Sequence, residues 1–126
     1  PRDDIVKVAA AGPLSNLLLA VLSAISLRIL LTSGFLSPEV KTFLIIFMQI
    51  NITLAVFNLL PISPLDGSQI LTPFIEKHFG SLMVYKMEMY GPRVLFFVII
   101  FSMLTGIHIF SLVITPIFNF FLFIFF

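Results

Sequence analysis

The residue of this chain best suited to chemistry is Asp66, which follows a stretch interrupted by Pro61 and Pro64. Both prolines lack a backbone N–H group and prevent a regular helix, so we expect irregular backbone here. The stretch comes directly after a run apolar enough to cross a membrane, and at membrane depth irregular backbone survives only where protein or a water-filled cavity surrounds it. An ionisable side chain in such a place is a candidate functional group.

Two interpretations of Asp66 follow from the residue types. A carboxylate inside the bilayer costs about 2.5 to 3.5 kcal/mol on insertion scales, and a divalent cation would offset that cost. Zn²⁺ accepts carboxylate oxygen beside imidazole nitrogen. In the other interpretation, Asp66 lies in interfacial water and caps a helix that begins at Ser68. The residue types alone favour the cap.

The two histidines do not complete a metal site on their own. His78 has no second histidine four residues away, the spacing that places two imidazoles on one helical face, and His108 lies in an apolar run. We expect a solvated interfacial side chain at position 78 and a neutral imidazole bonded to a neighbouring helix at position 108. With no cysteine in the chain, a thiolate site is excluded as well.

The composition is that of an integral membrane protein. Hydrophobic residues make up 60% of the 126 positions and charged residues 10%, whereas soluble domains have about 25% charged residues. Membrane lipids are therefore the expected surroundings. The net charge of +1 and the absence of a basic run give no indication of a nucleic-acid partner.

The apolar runs predict an all-α polytopic membrane protein with residues 1–126 in a single membrane domain. We expect about three transmembrane helices, a proline-broken loop, amphipathic helices and a short C-terminal apolar segment. The predicted ranges are 9–32, 42–60 and 93–114 for the spans, 58–67 for the loop, 68–90 for the amphipathic helices and 117–126 for the apolar segment.

Amide side chains interrupt the first two predicted spans. Asn51 and Asn58 are seven residues apart, two helical turns, and therefore share a face of the second span. Asn16 lies in the first turns of the first span, after the small residues 9–12. Residue types alone favour hydrogen bonding of Asn16 across a helix–helix contact.

Positive charge predicts the orientation. The side that holds the N-terminus and the segment between the second and third spans has five Lys and Arg residues, and the opposite side has two. Cytoplasmic segments carry the excess of positive charge, so Asp66 is expected nearer the cytoplasmic side. The two sets are Arg2, Lys7, Lys77, Lys86 and Arg93 against Arg28 and Lys41.

Three motifs in this order resemble the site-2 protease family of intramembrane zinc metalloproteases. They are Ala11-Gly12-Pro13-Leu14-Ser15-Asn16, Asn58-Leu-Leu-Pro61 and Pro64-Leu-Asp66-Gly67. The C-terminal stretch 106–116 is similar to the tail of small bacterial members. The resemblance therefore implies a protease of the bacterial inner membrane that cleaves membrane-anchored protein substrates.

The resemblance also implies roles for individual residues. Asp66 would be the third ligand of a catalytic Zn²⁺ ion whose other two ligands are the histidines of an H-E-x-x-H helix. Asn58 would hold or orient the substrate strand, and Asn16 would stand near the active site and polarise the scissile carbonyl. No H-E-x-x-H occurs in these 126 residues, and the chain opens on Pro1, so we expect that helix upstream of the chain.

Three functions stay open at this point. The chain is expected to be the C-terminal part of such a protease, inactive by itself because it holds one ligand of three. It would otherwise be a non-catalytic membrane scaffold related to the protease, or a small transporter or channel element, since broken helices with polar faces also form ion sites.

Overall fold

The computed structural model describes residues 2–126, so Pro1, the first residue of the predicted domain, lies outside it. The described residues form five α-helices and no β-strand, which confirms the predicted all-α class. The helices are α1 (Arg2–Ser33), α2 (Pro38–Asn58), α3 (Asp66–Phe79), α4 (Ser81–Thr105) and α5 (Ile109–Phe125).

The first two helices form an antiparallel hairpin with a short turn at residues 34–37. Gly34 adopts a positive φ of 76°, and the Ser37 hydroxyl accepts a hydrogen bond of 3.3 Å from the Val40 N–H, which caps α2. Ala20 and Ala24 of α1 are fully buried in the cluster that also contains Met48 of α2. Small side chains on α1 therefore let the two helices approach closely.

Three helices are long and apolar enough to cross a membrane, as predicted. They are α1, over residues Asp3–Ser33, together with α2 and α4. Many of their large apolar side chains are not covered by the rest of the chain. The side chain of Leu18, for example, is 59% exposed and that of Phe97 is 67% exposed. These surfaces suit contact with lipid or with further protein.

The helix boundaries after residue 80 differ from those predicted. The sequence predicted that an amphipathic segment ends at Gly91-Pro92 and that a span covers residues 93–114, but α4 runs without interruption from Ser81 to Thr105. Membrane helices tolerate proline where neighbouring groups compensate for the lost hydrogen bond. The helix ends instead at Gly106, which has a left-handed φ of 73° and donates its N–H to the Ser102 carbonyl.

The last helix packs along the hairpin formed by α1 and α2. Phe110, at its start, makes an edge-to-face contact with Phe57 near the end of α2, with 5.2 Å between ring centroids. At the other end, Arg28 Nη1 donates a hydrogen bond of 3.2 Å to the Phe125 carbonyl. Because its two ends meet opposite ends of the hairpin, α5 runs antiparallel to α2. Its 17 residues span about 26 Å at 1.5 Å per residue.

Candidate active site

The proline-broken stretch forms a tight loop between α2 and α3 whose backbone groups find partners within the loop. The Leu60 carbonyl accepts from the Ile62 N–H at 2.8 Å, and the Ile62 carbonyl accepts from the Leu65 N–H at 2.8 Å. These bonds replace the helical ones that Pro61 and Pro64 make impossible. The irregular backbone predicted from the two prolines is therefore present, and the N–H groups of Leu60, Ile62 and Leu65 in it are hydrogen-bonded.

Gly67 closes the base of this loop. Its α-carbon packs so tightly on the loop backbone that an added β-carbon would collide with the carbonyl groups of Leu59 and Leu60. Glycine is needed here because of this close approach of two backbone segments. The contact brings the start of α3 back beside the end of α2, and it sets the place of Asp66, the preceding residue.

The capping arrangement considered for Asp66 is wrong. α3 begins at Asp66 itself, its N-cap residue is Leu65, and no side chain caps it with a hydrogen bond. The hydroxyl of Ser68, the predicted helix start, is buried and donates to the Leu65 carbonyl at 2.8 Å. Asp66 thus stands in the first turn of α3, where the positive end of the helix dipole stabilises a carboxylate.

The Asp66 carboxylate is directed at Gly12 of α1. A β-carbon added to Gly12 would lie 3.5 Å from Asp66 Oδ2, an ordinary van der Waals distance. The carboxylate is half-buried and makes no hydrogen bond to any described residue. The first and third motifs, far apart in sequence, therefore meet at this contact.

Asn16 lies on the same side of α1 as this contact. It follows Gly12 by four residues, about one helical turn or 6 Å along the axis, so the two residues share a face. Side chains of an α-helix lean towards its N-terminus, which tilts the Asn16 amide towards the level of Gly12. Asn16 is half-buried and, within the described part of the chain, its amide makes no hydrogen bond.

Asn58 is the last residue of α2 and directly precedes Leu59, the residue against which Gly67 packs. Its side chain is half-buried and makes no hydrogen bond within residues 2–126. Asn51, on the same face of α2, differs from it. Asn51 is buried and donates from Nδ2 to the Phe47 carbonyl of its own helix at 2.8 Å. On the polar face of α2, the Asn51 amide is therefore hydrogen-bonded inside the bundle, whereas the Asn58 amide beside the loop can bond a further group.

The two histidines lie in exposed parts of the chain. His78 is exposed in the last turn of α3, where its ring lies 4.4 Å from that of Phe74. His108 was predicted within a span but lies in the exposed turn before α5. Among residues 2–126, no group of three His, Cys, Asp or Glu side chains is placed to hold a metal ion. Asp66 fits one ligand position of a zinc site, and a complete site needs ligands from elsewhere.

Sequence reasoning missed one contributor to this arrangement. Gly12 was grouped with residues 9–11 as a small surface for helix packing, but it is the residue that faces the carboxylate. Its place in the first motif was the available signal, since the approach of α3 to α1 is a tertiary contact.

Comparison with protein families gives a match at residues 30–102 to the family described as Peptidase family M50. This range contains Asn58 and Asp66 and ends within α4. The first motif, with Gly12 and Asn16, lies before it. No solved structure matches the chain.

Curated relatives carry the names of zinc metalloproteases. The chain is 35% identical over 96 residues to "Putative zinc metalloprotease YwhC" of Bacillus subtilis. The aligned residues cover 72% of the chain and 43% of that protein. The chain is 42% identical over 71 residues to "Putative zinc metalloprotease MJ0611" of Methanocaldococcus jannaschii, over 55% of the chain and 35% of that protein. "Zinc metalloprotease MJ0392" of the same organism is 26% identical over 84 residues, or 65% of the chain and 23% of the relative. The chain thus spans less than half the length of these relatives.

Proposed function

Since the chain belongs to Peptidase family M50, we propose that it is the C-terminal part of an intramembrane zinc endopeptidase that cleaves membrane-anchored proteins. The approach of the Asp66 carboxylate to Gly12 carries this proposal, because it joins two of the motifs at one half-buried place between helices. The three helices able to cross a membrane support a site at membrane depth.

Asp66 is the zinc ligand of this chain. Its carboxylate is free of hydrogen bonds to the described residues, and the first turn of α3 favours its ionised form. When bound, a zinc ion supplies Lewis acidity and an activated water molecule. Two further ligands must come from outside these residues, and an imidazole pair in a preceding segment of the longer protein meets that need.

Asn58 and Asn16 hold the substrate. An asparagine side chain offers both a donor and an acceptor, so each amide can bond the backbone of an extended peptide strand. Asn58 does so from the end of α2, beside the loop, and Asn16 from the face of α1 that Asp66 approaches. A substrate helix must unwind locally before cleavage, because its carbonyl groups are hydrogen-bonded and shielded. Asn16 then polarises the scissile carbonyl.

Membrane lipids surround this protease, and we place Asp66 towards the cytoplasmic side of the bacterial inner membrane, following the distribution of Lys and Arg. The substrate is a membrane-anchored protein.

The test uses the full-length protein, meaning these residues together with the segment that precedes them. Asp66→Asn keeps the shape of the side chain but removes its charge, and we expect loss of both bound zinc and cleavage of a membrane-anchored reporter. Glu39→Gln is the matched control, because Glu39 is exposed in the first turn of α2, at the opposite end of that helix. Zinc per protein is measured by mass spectrometry of the metal.

Full zinc content and cleavage in Asp66→Asn would remove the ligand assignment. A full-length wild type that binds no zinc and cleaves nothing would favour the scaffold. Ion flux into liposomes that needs neither zinc nor Asp66 would favour the transporter.

A further inference from the structure

The loop that precedes Asp66 also contacts α4, at a point where the helix has no room for a side chain. A β-carbon added to Gly91, in the interior of α4, would lie 2.6 Å from both the β-carbon and the carbonyl oxygen of Ser63 and 3.0 Å from its α-carbon. Real β-carbons essentially never lie below 3.0 Å from such atoms. Any other residue at position 91 must therefore displace the loop or the helix.

The loop is consequently held from two sides. Gly67 closes it from the start of α3, and Gly91 bounds it from α4. Ser63 is only three residues before Asp66, and the backbone between them is tied by the hydrogen bond from the Leu65 N–H to the Ile62 carbonyl. A shift of Ser63 is thus transmitted to the residue that carries the carboxylate.

Part of the boundary between the loop and α4 is an open groove of about 310 Å³. It is bordered by Pro61 and Ile62 of the loop and by Lys86, Tyr90 and Val94 of α4. On this side the neighbouring side chains leave space, so the contact between Ser63 and Gly91 limits how closely the loop approaches α4.

We propose that Gly91 is a positioning residue for the zinc ligand: the absence of a side chain at this place in α4 lets Ser63 seat against the helix and fixes where the Asp66 carboxylate points. This inference rests on the proposed function, since it takes Asp66 as the zinc ligand. Gly91 lies outside the three motifs that carry the resemblance.

Zinc affinity separates this role from a structural one. A β-carbon at position 91 meets Ser63 in either case, so Gly91→Ala should lower the melting temperature by overpacking. If Gly91 only packed against the loop, this change would leave zinc binding alone. If Gly91 positions the loop, the same change weakens zinc binding without loss of the fold. Groups that orient a metal ligand typically change metal affinity by about 10- to 100-fold when altered.

The experiment measures zinc affinity by competition with a chelator in the full-length protein, together with the melting temperature in detergent. We expect Gly91→Ala to raise the zinc dissociation constant by about 10- to 100-fold. Ser63→Gly in that background removes one of the colliding atoms and should restore part of the affinity. Ser81→Ala is the control, because Ser81 is exposed at the start of the same helix.

The outcomes are distinct. If wild type binds zinc and Asp66→Asn does not, but Gly91→Ala binds zinc like wild type, the positioning role is wrong and the ligand assignment stands. If wild type binds no zinc, the proposed function itself fails. A Gly91→Ala protein that does not fold, with or without Ser63→Gly, would also overturn the inference, because a displaced loop is a local change.

Discussion

Gly12 of α1 faces Asp66 of α3 so closely that a β-carbon on the glycine would stand 3.5 Å from Asp66 Oδ2. This distance allows one methyl group and little more. The face of α1 beside the carboxylate is thus kept clear for whatever binds there, which in the proposed protease is the metal ion and the substrate strand.

The space at Gly12 predicts a graded series. Gly12→Ala adds a methyl group at an ordinary contact distance and improves helix propensity by about 1 kcal/mol, so zinc content should be kept. Gly12→Val adds two further carbons on a stiff side chain and should lower zinc affinity by about 10- to 100-fold by displacing the carboxylate. Zinc competition in the full-length protein measures both. Equal affinity in the two variants would contradict the proposed crowding.

Gly67→Ala should have the opposite effect on stability from Gly12→Ala, although both replace a helical glycine. The added methyl group at position 67 meets the carbonyl groups of Leu59 and Leu60. Overpacking of this kind costs about 1 to 3 kcal/mol. We expect a lower melting temperature in detergent for Gly67→Ala and an unchanged or higher one for Gly12→Ala. A stabilised Gly67→Ala protein would show that the loop can move away.

The break before Asp66 could be predicted from sequence because its cause is local. Pro61 and Pro64 exclude a helix whatever surrounds them. The continuity of α4 through Gly91-Pro92 could not be predicted from sequence, because the same dipeptide ends helices in other contexts. Here the dipeptide lies against Ser63, a contact between segments distant in sequence. The end at Gly106 had a local signal, a glycine able to adopt the left-handed conformation, which the apolar run on both sides obscured.

The candidate site divides in the same way. Residue type marked Asp66 as a candidate, the family resemblance supplied the site roles of Asn16 and Asn58, and the catalytic and metal-binding roles of all three stay predictions. The facing of Gly12 and Asp66 required the fold, because it depends on how the loop returns α3 to α1. The packing of α5 along α1 and α2 was also inaccessible, since the exposed polar residues Ser111, Thr115 and Asn119 indicate which face of α5 is packed but not which helices cover it.

Two isoleucines on α2 provide a test of the packing between the hairpin and α5. Ile52 is fully buried in the cluster with Ala24 and Met48, whereas Ile50 is 52% exposed. Ile52→Ala leaves a cavity and should cost about 2 to 5 kcal/mol of unfolding free energy, while Ile50→Ala on the same helix should cost far less. Melting of the purified protein in detergent compares them. Similar losses in both would mean that further protein covers Ile50.

The proposed substrate contact of Asn58 predicts a kinetic defect without a metal defect. Its amide makes no hydrogen bond within the described residues, so Asn58→Ala should leave zinc content and melting temperature close to those of wild type. Loss of a group that orients the reacting bond can slow a reaction by up to about 100-fold. Cleavage of a membrane-anchored reporter under single-turnover conditions measures this step.

Asn119→Ala is the matched control, because Asn119 is an exposed asparagine of α5. Loss of zinc in Asn58→Ala would instead indicate that this amide supports the metal site, and unchanged turnover would remove it from the substrate path.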